Sequence, residues 1–408
     1  MKNLIPFVII LIFSCNNSNE PDISNPVQNS DFALMEDENV VQQNFLNGTD
    51  YTVYKRVRLI DKIGFTEPVE AYSALLPENW KHKNDIIWEP PGTACMGTYR
   101  KFSAGDDKGN IKLELFPDHI YSWTSNELLR SLNSGNSSEF CSQQPPLDAE
   151  KYLSDIFLQE IGNPKIVKTE NVPGVINEMK EKFNANLNEL TGYGAGNVNF
   201  HPSAIKADVE WNDGKKGILT VSVGIAEITV PNQYTGGYDM IYTTQVSNKT
   251  MFVYSDEKSE AEKMYGVIMT GFRTNPFWQE SVNNFWKQTR ANKHIVHLGK
   301  IKAIDERTNQ IAKDAIASGN RRLAEMDNQQ RSWEQKQQLQ DRMHTEFIKT
   351  IRGVENYQDA TGKYEMSSGY NHAWSRNDGS SFILSDNPNF DPSSVFQDQN
   401  WKEMKKTH

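Results

Sequence analysis

Three cysteines, a histidine pair and an aromatic run are the residues whose types and spacing could do chemistry. Cys15 closes an apolar run, Leu4 to Phe13, that follows Lys2. That run has about half the length a helix needs to cross a hydrocarbon core, so it reads as a signal h-region. A cysteine at its end is a lipidation site. Cys95 and Cys141 remain as an even pair in a compartment that permits oxidation, and a disulfide is their expected use. Closing a loop of that length contributes about 3 to 4 kcal/mol in the loop-entropy model. A reactive thiol would need a nearby base or a Cys-x-x-Cys spacing, and the sequence offers neither.

His294 and His297 stand three apart, so on a helix they share a face and could hold a metal. No third ligand sits near them, and two surface histidines explain the spacing. Gly192, Gly194 and Gly196 lack the preceding strand and lysine of a phosphate cradle, so they read as a loop. Asp386, Asn389 and Asp391 offer oxygens for Ca²⁺ in an order that does not fit an EF-hand, and Asx turns explain them. Tyr370, His372, Trp374 and Phe382 form an aromatic group with polar tips that could stack on sugars or peptides. Tryptophan and tyrosine in a small hairpin unit are more often its core, so core is the expected reading and a binding surface the alternative. Gly-x-Ser-x-Gly, His-Glu-x-x-His and dinucleotide fingerprints are absent, so no cofactor is implied. A formal charge of -10 with only short basic spots excludes a phosphate-backbone surface and hence nucleic acid as partner.

The ending Ile12-Phe13-Ser14-Cys15 resembles the lipobox of bacterial lipoproteins, with Phe13 bulkier than usual for that position. The resemblance implies that Cys15 becomes the acylated first residue of the mature chain. Two or three acyl chains hold a protein on a membrane where one is marginal. Asn16, in place of an inner-membrane retention aspartate, points to the outer membrane. Residues 16–50 are polar and poor in aromatics, which predicts a flexible tether. As a random coil it reaches about 30 Å.

The elements that must position these residues follow from apolar period and turn chemistry. Alternation at Val53, Lys55, Val57 and Leu59 predicts a strand, and Ala71 to Leu76 another. Thr98–Ser103 and Ile111–Phe116 form a predicted hairpin. Asp148–Ile161 and Val175–Leu190 are predicted helices, followed by strands at Ala204–Trp211, Gly217–Val230, Tyr238–Val246 and Met251–Ser255 and a helix at Ser259–Thr270. This is an α+β plan, an antiparallel sheet with flanking helices. Its order, with Leu75-Leu76-Pro77-Glu78-Asn79-Trp80 and Leu113-Glu114-Leu115-Phe116-Pro117, resembles the Mog1/PsbP-like fold over residues 51–275. Domains of that kind are mostly binding or assembly modules. Residues 276–353 read as a long helical segment, an arm that either projects or packs back. Residues 354–408 read as a small β-rich tail. Its Gly369-Tyr370-Asn371-His372-Ala373-Trp374 and Asp386-Asn387-Pro388-Asn389-Phe390-Asp391-Pro392 resemble uncharacterised secreted bacterial proteins.

The expectation is a lipid-anchored, non-enzymatic envelope protein that binds another envelope protein or a glycan. The alternatives are a hydrolase of envelope polymers using paired carboxylates and a structural spacer. A cleft with two facing carboxylates favours the enzyme, and an exposed apolar patch favours the binding module.

Overall fold

Runs of alternating and β-branched residues broken by Gly, Asn and Pro produce eighteen strands among the described residues, and seven helices cover them. The computed structural model describes residues 44–91, 93, 95–133, 137–192, 198–232, 236–255, 257–293, 339–359, 362–367, 369–396 and 400–407. The lipobox, all of the tether before residue 44, His294, His297, the loop 193–197 and residues 294–338 of the expected helical segment lie outside them.

β1 (Thr52–Asp61) and β2 (Val69–Pro77) form an antiparallel hairpin. Seven apolar or small residues in a row bury β2 on both faces, and Pro77 ends it. β3 (Lys81–Glu89), β4 (Gly97–Gly105) and β5 (Lys112–Leu115) follow as a meander. The predicted turn closes β4 on β5: Asp106 Oδ1 accepts from Ile111 N at 3.0 Å, and Gly109 takes φ +72°. Next come β6 (His119–Thr124), α1 (Glu127–Asn133) and β7 (Cys141–Gln143). Asp148 caps α2 (Ala149–Tyr152), accepting from Lys151 N at 2.9 Å. That helix runs through a π turn, Leu153–Phe157, into α3 (Leu158–Glu160). After β8 (Lys165–Asn171), α4 (Pro173–Gly192) starts on a proline, whose missing N–H costs nothing at a helix start.

β9 (Val198–Glu210) turns at Asn212-Asp213-Gly214 into β10 (Lys216–Pro231), with Gly214 at φ +84°. The two strands expected over 238–255 are one, β11 (Tyr238–Tyr254). A register shift absorbs Asn248, left-handed at φ +51°, so polar Ser247-Asn248-Lys249 kinks the strand without ending it. Then follow α5 (Lys258–Thr270), β12 (Arg273–Thr274), α6 (Pro276–Lys293) and α7 (Leu339–Ile351). The last strands are β13 (Val354–Asp359), β14 (Gly362–Ser367), β15 (His372–Arg376), β16 (Ser381–Ser385), β17 (Trp401–Glu403) and β18 (Lys405–Thr407).

The strands make three sheets: β12-β2-β1-β16-β15-β17; a nine-stranded sheet with the path β3-β4-β5-β11-β10-β9-β8; and β14-β13-β18. β6 joins the large sheet through β11, and every pairing is antiparallel except β6 with β7. The architecture is therefore α+β, with antiparallel sheets and flanking helices. Residues 354–408 do not form a separate tail, because β16 pairs with β1 and one compact unit spans Phe45–His408. The main core, around Phe102, Phe252, Tyr265, Phe272 and Phe382, lies between the two larger sheets. A second, around Tyr152, Phe157 and Val221, lies under α2 and α3.

Candidate functional site

Strand alternation divides the aromatic group considered as a candidate surface. Phe382 is fully buried and Tyr370 nearly so, both in the main core, where the Tyr370 and Tyr54 hydroxyls lie 3.3 Å apart. Trp374 sits opposite Ile383 and packs with Tyr51, Val53 and Phe390 in a separate cluster. His372 alone is half-exposed, stacked on Trp374 with ring centroids 5.7 Å apart. Both sides of this sheet carry a core, so three of the four rings hold the fold together and no continuous aromatic surface results.

Cys95 and Cys141 stand at disulfide distance, with Cα atoms 5.5 Å apart. They tie the segment before β4 to β7, beside the stacked Tyr99 and Phe140 rings. The oxygens considered for Ca²⁺ face other partners. Asp386 pairs with Lys263 and accepts from Asn371 N, while Asp391 caps a 3-10 turn through Ser393 N at 2.8 Å. Among the described residues no group of three or more His, Cys, Asp or Glu side chains is placed to hold a metal ion. No helix among them is long and apolar enough to cross a membrane.

Two polar features had no signal in the sequence. Asp118, between β5 and β6, is half-buried and accepts from Gln245 Nε2 at 3.3 Å. Burial raises its pKa, while Arg100, Lys182, the Gln245 hydrogen bond and Lys249 pull it down. Arg100 lies over the Tyr72 and Phe272 rings at 4.8 and 4.7 Å. Behind it His344 of α7 is 1 % exposed, its ring 6.0 Å from that of Phe272. Burial, helped by the positive charges of Arg100 and Arg273, holds its pKa at about 3.

No family model matches the chain, and no curated protein or solved structure matches it either.

Three of the exposed apolar side chains lie on elements at one end of the β10–β11 hairpin. Tyr238, at the foot of β11, is 72 % exposed, and Leu128 and Leu129 of α1 are 68 % and 40 % exposed. Asn126 Nδ2 donates to Asp239 at 3.0 Å and Ser125 N donates to Met240 O at 2.9 Å, which ties the start of α1 to the start of β11. Arg130 covers the adjoining Trp123 ring at 4.6 Å. Backbone and amide hydrogen bonds thus hold α1 at the end of the long β10–β11 hairpin that carries Tyr238.

Proposed function

We propose that the chain is a lipid-anchored protein of the bacterial cell envelope, on the outer membrane, whose body is a Mog1/PsbP-like binding or assembly module. The signal-like run and Cys15 support the anchor, and a polar tether would keep the body close to the lipid surface. The antiparallel sheet and its packed helices support the fold assignment.

The observation that carries the binding reading is the exposure of Leu128, Leu129 and Tyr238 at one end of the β10–β11 hairpin. Two leucines and a tyrosine ring held in water gain nothing for the fold, whereas a partner that covers them gains roughly 25 cal/mol per Å² of apolar surface. The hydrolase reading has one supporting observation, the raised pKa of Asp118. The groups acting on that carboxyl are three cations and an amide, with no second carboxylate among them. An acid without a facing base does not make a glycosidase pair.

A photo-crosslinking residue at Tyr238 in intact cells is expected to capture a discrete envelope partner. The same probe at Val167, 63 % exposed on β8, serves as the control and should not capture it. Equal capture at both positions, or none at Tyr238, refutes that end of the hairpin as the contact. Cys15→Ala should release the protein from membranes, and failure of a labelled fatty acid to tag the wild type removes the anchor.

A further inference from the structure

The parallel pairing of β6 with β7 sets Ser142 opposite Tyr121, and His119, two residues back, shares that face of β6. His119 Nε2 lies 3.2 Å from Ser142 Oγ, and His119 Nδ1 lies 3.0 Å from Glu139 O. A carbonyl oxygen can only accept, so the neutral ring carries its proton on Nδ1 and donates it to Glu139 O. Nε2 is then the acceptor, and the Ser142 hydroxyl donates to it. The Tyr121 ring, its centroid 4.3 Å from that of His119, holds the imidazole from one side. Burial, helped by the Lys249 charge, lowers the His119 pKa from 6.5, against the opposing pull of the Glu139 hydrogen bond and Glu160. Nε2 is therefore free to accept a proton near neutrality. Both side chains are half-buried, and the adjoining Ser138 and Glu139 are exposed, so the pair can be reached from solvent.

We propose that Ser142 is a nucleophile with His119 as its general base, and that the pair hydrolyses small acyl esters. A hydroxyl within hydrogen-bond reach of a base that a third group orients is the arrangement nucleophilic catalysis needs, and the orienting group here is the Glu139 carbonyl. Ser142 Oγ forms a bond to the ester carbonyl carbon, and its proton passes to His119 Nε2. The bond from that carbon to the alcohol oxygen then breaks, and the leaving oxygen takes the proton from Nε2. Water attacks the acyl-serine and gives a proton to Nε2; the carboxylic acid departs, and Ser142 Oγ recovers the proton. A donor for the oxyanion stands next in the chain. Ile120 N donates to Phe140 O at 2.9 Å and Gln144 N to Ser122 O at 3.3 Å, so alternate residues turn their amides towards β6 and Gln143 turns its own the other way. Among the described residues no strand covers that edge of β7, and the bridge to Ser138 reaches only Cys141. The Gln143 N–H is thus placed to meet charge developing beside Ser142. This is acyl chemistry on a serine, distinct from a carboxylate pair. It goes beyond the partner-binding reading and uses none of its residues, so either stands if the other falls.

The test treats the whole protein with a fluorophosphonate probe, which phosphonylates activated serines, maps the adduct by peptide mass spectrometry, and follows p-nitrophenyl acetate hydrolysis in parallel. An adduct on Ser142 is expected, and Ser142→Ala should lose both the adduct and the esterase rate. His119→Gln should slow labelling and hydrolysis by about 100-fold or more, the usual share of a general base. Circular dichroism checks that both variants fold. In the wild type the rate should fall on acidification as Nε2 takes up a proton, with a midpoint below 6.5, which a merely structural histidine would not produce. No adduct on Ser142 under a large excess of probe, or adducts on other residues alone, overturns the proposal. Labelling of Ser142 that His119→Gln leaves unchanged overturns it as well.

Discussion

Acidification makes a demand on His344 that the folded chain resists. Its ring is 1 % exposed, its Nε2 has no hydrogen-bond partner among the described residues, and Arg100 and Arg273 oppose a further positive charge. Burial first, and those two cations second, lower its pKa from 6.5 to about 3. A base whose pKa is depressed on folding binds its proton more readily in the unfolded chain. Above the unfolded value neither state carries the proton, and the group leaves stability unchanged. As pH falls from 6.5 towards 3 the unfolded state takes it up alone, and stability drops throughout that window. At about 1.4 kcal/mol per pKa unit, the full interval is worth about 5 kcal/mol and the part above pH 5 about 2 kcal/mol. Urea titrations between neutrality and about pH 4 should therefore show the wild type losing stability faster than His344→Gln, which does not titrate. The variant will start from a lower value because it disturbs a packed position, so the slope is the informative quantity. Parallel pH profiles for the two proteins would refute the reasoning.

Two further outcomes follow from buried groups. Asp61, fully buried, accepts at Oδ2 from the indoles of Trp88 and Trp278, both at 2.9 Å, and at Oδ1 from Ile63 N and Gly64 N. Asp61→Asn turns one acceptor into a donor facing donors, with an expected loss of about 3 kcal/mol, read by tryptophan fluorescence in denaturant; a change below about 1 kcal/mol would contradict it. Replacing Cys95 and Cys141 by serine should lower stability by about 3 kcal/mol, and non-reducing mass spectrometry that finds both thiols free would remove the bridge.

Local signals were legible where the chemistry is local. The Asp148 cap, the Asn212-Asp213-Gly214 turn, the amphipathic α4 and the β4–β5 hairpin all stand where residue type and period place them. β3 carries no strand signal of its own, because its Lys-His-Lys-Asn-Asp start has no apolar alternation; its neighbour β4 makes it a strand. Pairing of β16 with β1 could not be read at all, since period reveals a strand and never its distant partner. Three rings of the aromatic group are core, the reading their types favour, but their division is not legible: alternation separates Trp374 from Phe382, and nothing in the sequence says that both faces are covered.

Ser385 Oγ, in β16, donates to Asp50 O at 2.6 Å across 335 residues, beside the β1–β16 ladder. The order of synthesis therefore matters. While the ribosome is still making the middle of the chain, β1 has only β2 for a neighbour, and its second edge stays unfilled until β16 emerges. Loop closure over such a span is slow relative to helix and hairpin formation. Any chain delivered from its beginning therefore carries β1 with one open edge until β16 follows to lock the sheet.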